Sequence, residues 1–79
     1  MRILELSIMK KEVLIKFGQR VHDERAKLGL SQEELASRAG VHRTYVGMIE
    51  RAEKNITLEN IQKIAGALKI KLSDIFRDI

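Results

Sequence analysis

Ser31-Gln32-Glu33-Glu34-Leu35-Ala36-Ser37-Arg38-Ala39-Gly40-Val41-His42-Arg43-Thr44-Tyr45-Val46-Gly47-Met48-Ile49-Glu50-Arg51 reads as two short helices around a tight turn. Ser31 followed by Glu34 three residues later is a capping-box pattern: the hydroxyl accepts from the Glu34 amide, and the carboxylate accepts from the Ser31 amide. The helix so started turns Leu35, Ala36 and Ala39 inward. It ends at Gly40, which enters the left-handed region at low cost because it has no Cβ. The small side chain of Ala36 lets the next helix cross closely. That helix runs from about His42 to Arg51, with Val46 and Ile49 as its core residues.

Working outward, residues 9 to 28 carry Leu14, Phe17, Gly18, Val21 and Leu28 at three- and four-residue steps, with Lys16, Arg20, Asp23, Glu24 and Lys27 off that stripe. This first helix should stop at Gly29. On the other side, Thr57 caps a helix whose Leu58, Ile61, Ile64, Ala65 and Leu68 line one face. Ser73 caps a last short helix with Ile75 and Phe76 inward and Ile79 near its end. Gly29, Gly40 and Gly66 mark the joints, and proline is absent. The prediction is all-α: a compact bundle of about five helices containing a helix-turn-helix. Residues 9–79 form the domain, with a C-terminal dimerisation segment. Residues 1–8 are an arm whose Ile3, Leu4, Leu6 and Ile8 extend the first helix, add a strand to a partner or fray, and either Met1 or Met9 serves as the start.

Composition narrows the function. A chain of 79 residues holds one domain, and without cysteine it has neither disulfides nor a thiolate metal site. His22 and His42 are too far apart in sequence to suggest a metal cluster. No apolar run approaches the roughly 20 residues that span a bilayer, and Glu5 interrupts any signal-peptide core. A cytoplasmic protein without cofactor or membrane partner is expected. No carboxylate pair, nucleophile with histidine or phosphate loop is legible, which argues against an enzyme. The net charge of +4 permits a nucleic-acid partner.

Leu30-Ser31-Gln32-Glu33-Glu34-Leu35-Ala36, Gly40-Val41 and Tyr45-Val46-Gly47-Met48-Ile49-Glu50-Arg51, with Leu58, Ile61, Ile64-Ala65, Leu68 and Leu72-Ser73-Asp74-Ile75-Phe76 downstream, resemble the lambda-repressor-like, or XRE, family of helix-turn-helix proteins. The resemblance covers about residues 18 to 76. Within the family, His42-Arg43-Thr44-Tyr45-Val46 leading to Ile49-Glu50-Arg51 looks most like the controller proteins of restriction–modification systems. The resemblance implies a homodimeric regulator of transcription that binds a pseudo-palindromic double-stranded DNA operator, with RNA polymerase as a further partner. The competing reading is an antitoxin or phage-type repressor whose main partner is another protein.

On a helix from His42, residues 43, 44, 47 and 48 share a face opposite Val46 and Ile49. Arg43 is the candidate reader of guanine, whose O6 and N7 match its guanidinium fork. Thr44 offers a hydroxyl or a methyl, Met48 an apolar contact, and Gly47 close approach to the duplex. Gln32, at the start of its helix, is the candidate phosphate anchor, joined by His42, Arg51, Lys54 and Asn55. Tyr45 either donates to DNA or packs its ring beneath the helix. The resemblance pairs Arg25 with Glu50 in a structural salt bridge. Leu72, Ile75, Phe76 and Ile79 either form the dimer interface or pack inward, and the arm is a second candidate for pairing.

Overall fold

The computed structural model describes the backbone of residues 3–79 and the side chains of residues 12–79. Five helices follow one another: α1 (Ile3–Lys27), α2 (Gln32–Ala39), α3 (Arg43–Glu50), α4 (Leu58–Ala67) and α5 (Leu72–Ile75). No strand occurs among the described residues. The α1 backbone starts ahead of the periodic run, at Ile3. The side chains of the arm lie outside the described residues, so its expected pairing role does too.

Local chemistry sets the helix starts. Ser31 Oγ accepts from the Glu34 amide at 3.0 Å, and Glu34 Oε1 accepts from the Ser31 amide at 3.1 Å. Thr57 caps α4 by accepting from the Asn60 amide at 3.2 Å. Ser73 does not cap α5. It lies inside that helix, and Lys71 stands at the N-cap without a side-chain bond.

The ends of α1 to α4 share one construction. The amides of Leu30, Val41, Glu53 and Ile70 reach back to the carbonyls of Arg25, Ala36, Met48 and Ala65. Such closures need a left-handed residue just before the donor. Gly29 and Gly40 supply two of them, Ala52 (φ 59°) and Lys69 (φ 60°) the others. Gly66, expected at a joint, instead lies within the last turn of α4.

One apolar cluster joins the helices, with Val21, Leu35, Val46, Ile64, Leu68 and Ile75 fully enclosed. Four expected members are outside it: Leu14 is only half-buried on α1, Phe76, expected to point inward, is 38% exposed, and Leu28 and Leu58 are exposed as well. Leu28 is 43% exposed while Leu30 is 7% exposed, because the left-handed turn at Gly29 redirects the chain before the next apolar residue. Leu58, the first residue of α4, is 73% exposed, pointing away from the face that Ile61 and Ile64 bury.

Two contacts set the angles that matter for function. A Cβ on Gly18 would lie 2.5 Å from the Ile49 carbonyl oxygen, so α1 meets the end of α3 at a distance only glycine permits. Two residues further along α1, the Arg20 guanidinium donates to the carbonyls of Asp74 and Arg77, holding the end of α5 against α1. The Phe17 and Phe76 rings stack beside it with centroids 5.7 Å apart.

Candidate nucleic-acid interface

The first turns of α2 and α3 open onto one cleft of about 570 Å³, lined by Arg25, Ser31, Gln32, Glu33, Arg43, Thr44, Gly47 and Arg51. Arg43 and Thr44 are exposed in the first turn of α3. His42 caps this helix, its Nδ1 accepting from the Thr44 amide at 3.1 Å. Met48 is half-buried on the following turn.

Gly47 lines the cleft with Arg43 and Thr44 as expected, but it is covered rather than open to close approach. It is buried, and a Cβ there would lie 3.1 Å from Arg51 Nη1 and 3.4 Å from Gln32 Oε1. The two side chains fold over the glycine because no Cβ holds them off. Arg51 also pairs with Glu53 through Nε at 3.1 Å, while Lys54 and Asn55 stand exposed in the following loop. The Tyr45 ring packs against the core, and its hydroxyl accepts from Asn60 Nδ2 at 3.2 Å. Of the two readings for Tyr45, packing is therefore what the ring does, and only the hydroxyl proton is left to donate outward.

Beneath the cleft lies a polar junction between α1, α2 and α3. Arg25 donates to both Glu50 oxygens, Nε to Oε2 at 2.8 Å and Nη2 to Oε1 at 2.9 Å. Its Nη1 donates to the Leu30 carbonyl at 2.9 Å, and Gln32 Nε2 donates to Glu50 Oε1 at 3.2 Å. The Glu50 hydrogen bonds push the Arg25 pKa above the ordinary arginine value, against the opposing effect of partial burial. Every oxygen of the buried carboxylate is thus paired. Gln32, expected to meet phosphate, spends one amide proton inside the protein.

The proposed pairing segment divides. Ile75 is fully enclosed and belongs to the core, so it is not part of a surface between copies. Ile79 packs half-buried against the same core. Leu72 and Phe76 remain 39% and 38% exposed.

Sequence reading missed Arg20, Glu33 and Asn60. Arg20 fell off the apolar stripe of the first helix, Glu33 had no role beyond its place in the motif, and Asn60 had none. Their partners, Asp74, Arg43 and Tyr45, come from other elements and leave no signal in local spacing. Among the described residues no group of three or more His, Cys, Asp or Glu is placed to hold a metal ion, and no helix is long and apolar enough to cross a membrane.

Comparison with known proteins places this geometry in a family. The helix-turn-helix family model matches residues 21–75. Control protein C.BamHI of Bacillus amyloliquefaciens is 41% identical over 68 residues, covering 85% of this chain and 84% of that protein. Control protein C.MunI of a Mycoplasma species is 39% identical over 69 residues, covering 86% and 93%. The crystal structure of the restriction–modification controller protein C.AhdI from Aeromonas hydrophila superposes with a TM-score of 0.78 at 49% identity, covering 80% of this chain and 96% of that one. With its five helices and the capped α2–turn–α3 unit, the chain belongs to the XRE-type helix-turn-helix family of transcription regulators, which are not enzymes, and within it is most like the restriction–modification controllers.

Proposed function

We propose that this protein is a sequence-specific, double-stranded DNA-binding transcription regulator that acts in the cytoplasm as a homodimer on a pseudo-palindromic operator, controlling a restriction–modification system. The observation that carries the reading is the first turn of α3. Arg43 and Thr44 stand exposed there beside the α2 N-terminus, and no side chain of the core competes for them. Arg43 and Thr44 read base edges in the major groove, with Met48 available for apolar contact to a thymine methyl. Gln32, His42, the Tyr45 hydroxyl, Arg51, Lys54 and Asn55 position the module on phosphates without specifying sequence.

One such helix reads too few base pairs to define a site, and a dimer reads two half-sites about 34 Å apart. Leu72 and Phe76 supply the exposed apolar surface for pairing, and the arm offers a second surface. RNA polymerase is the expected partner where the operator adjoins a promoter. The similarity to controllers along most of their length supports this reading.

Selection of bound sequences from a random DNA pool tests the proposal. A palindromic consensus with half-sites one helical turn apart is expected. Arg43→Ala should lose it while retaining helical content, whereas Lys54→Ala should weaken all duplexes alike and reduce the salt dependence. Recovery of the same consensus by Arg43→Ala would show that the reading face has been misassigned.

A further inference from the structure

Glu33 is an acid on the face assigned to DNA. It is the second residue of α2, Arg43 is the first of α3, and its Oε2 lies 3.5 Å from Arg43 Nη1 across the turn. The side chains of Glu33 and Arg43 are 73% and 67% exposed, so the pair contributes little to folding. Both line the cleft between α2 and α3, and Glu33 is the one carboxylate among its described lining residues. The neighbouring acids are occupied elsewhere, Glu34 in the capping box and Glu50 with Arg25 and Gln32.

We propose that Glu33 is a specificity-determining residue of this face, acting through Arg43 to penalise binding to DNA that lacks the matching base. This rests on the DNA-binding reading above. An arginine at a groove has two kinds of acceptor: phosphates, present at every step, and the O6 and N7 of guanine, present only where the sequence supplies them. Glu33 separates the two. A phosphate taken by Arg43 brings a full negative charge beside the carboxylate, whereas the guanine edge carries only partial charges. The carboxylate lies beside Nη1 at 3.5 Å as an ion-pair contact, which leaves the N–H donors of the guanidinium for an acceptor outside the pair. On an unmatched duplex, Arg43 keeps Glu33 as its partner and the phosphates gain no cation from it. Glu33 is therefore a positioning residue, expressed in the ratio of specific to non-specific affinity.

The test compares the full chain, Glu33→Gln, Arg43→Ala, the double variant and Glu12→Gln, which removes a like charge from exposed α1. Each is titrated with the consensus duplex from the random-pool selection and with a scrambled duplex of equal length at the same salt. Helical content by circular dichroism checks that each variant is folded. Glu33→Gln should tighten scrambled binding by about fivefold to tenfold, the size of one relieved like-charge contact near a surface, and change consensus binding by much less. Glu12→Gln should change both duplexes by one small common factor. In the Arg43→Ala background the selective effect of Glu33→Gln should vanish. Equal tightening on both duplexes would reduce Glu33 to net charge, and weaker consensus binding with scrambled binding unchanged would make it a base contact; either result overturns the proposal. A wild-type protein that selects no sequence would overturn the DNA-binding reading itself, and this inference with it.

Discussion

Arg25 on α1 and Glu50 at the end of α3 meet through two hydrogen bonds of 2.8 and 2.9 Å, with their side chains 15% and 6% exposed. This pair holds the far end of the helix whose near end carries Arg43. Both charges give up most of their hydration, and their attraction offsets that cost only while both are present. Removing either partner strands the other, so Arg25→Ala and Glu50→Ala should each cost about 3 kcal/mol. The double variant should cost clearly less than the sum of the two. Chemical denaturation of the four proteins in a double-mutant cycle measures the difference, and strict additivity would mean that the charges act independently.

Gly18 sets the same helix from the other side. Its would-be Cβ meets the Ile49 carbonyl oxygen at 2.5 Å and that of Glu50 at 3.0 Å, and neither backbone atom can rotate away. Gly18→Ala gains helix propensity but forces α1 and α3 apart, so a net destabilisation of about 1–3 kcal/mol is expected. Consensus affinity should fall with it, because α3 moves as a unit. Thermal unfolding checks the first outcome and duplex titration the second.

The capping box makes the start of α2 sensitive to acid. The Ser31 backbone hydrogen bond, then its side-chain hydrogen bond, hold the Glu34 carboxyl below the ordinary glutamate value. A carboxyl depressed by folding stabilises the fold above its unfolded-state value, and that stabilisation is lost as pH falls through the folded value. Glu34→Gln keeps an acceptor but cannot titrate. Melting curves from neutral pH down to pH ~3 should therefore show a smaller acid-induced loss of Tm in Glu34→Gln than in the native chain.

Two residue exchanges should raise stability without touching the interface. Ala52 holds φ at 59° to close α3, a conformation that costs a residue with a Cβ about 1 kcal/mol relative to glycine. Gly66 shows the reverse mismatch: it is helical and exposed, and nothing lies within 4 Å of where its Cβ would be. Ala52→Gly and Gly66→Ala should each stabilise by about 0.5–1 kcal/mol, additively because they are separate sites. Denaturant midpoints of the single and double variants provide the check.

These two positions also show where sequence legibility stopped. Glycine at a helix end is readable because its sequence position and conformational freedom agree, as at Gly29 and Gly40. Ala52 and Lys69 take the same left-handed conformation with no such mark, because the closing hydrogen bonds of Glu53 and Ile70 and the packing behind them hold the turn. Helical periodicity likewise placed Val46 and Ile49 in the core. It did not separate Leu28 from Leu30, since the stripe loses its phase where the helix ends.

The sequence alone determined what depends on neighbours along the chain. It was enough for the five helices, the capping box at Ser31 and Glu34, the Thr57 cap and the exposed first turn of α3 with Arg43 and Thr44. Each follows from backbone hydrogen bonding and side-chain periodicity within a few residues. Only the tertiary structure decided which exposed groups find partners. It buried Gly47 beneath Arg51 and Gln32, drew Tyr45 onto Asn60, tied Arg20 to the end of α5 and withdrew Ile75 from any surface. It also set Glu33 beside Arg43. These relationships depend on the angles at which helices cross, and close contacts between distant residues, such as Gly18 against Ile49, set those angles.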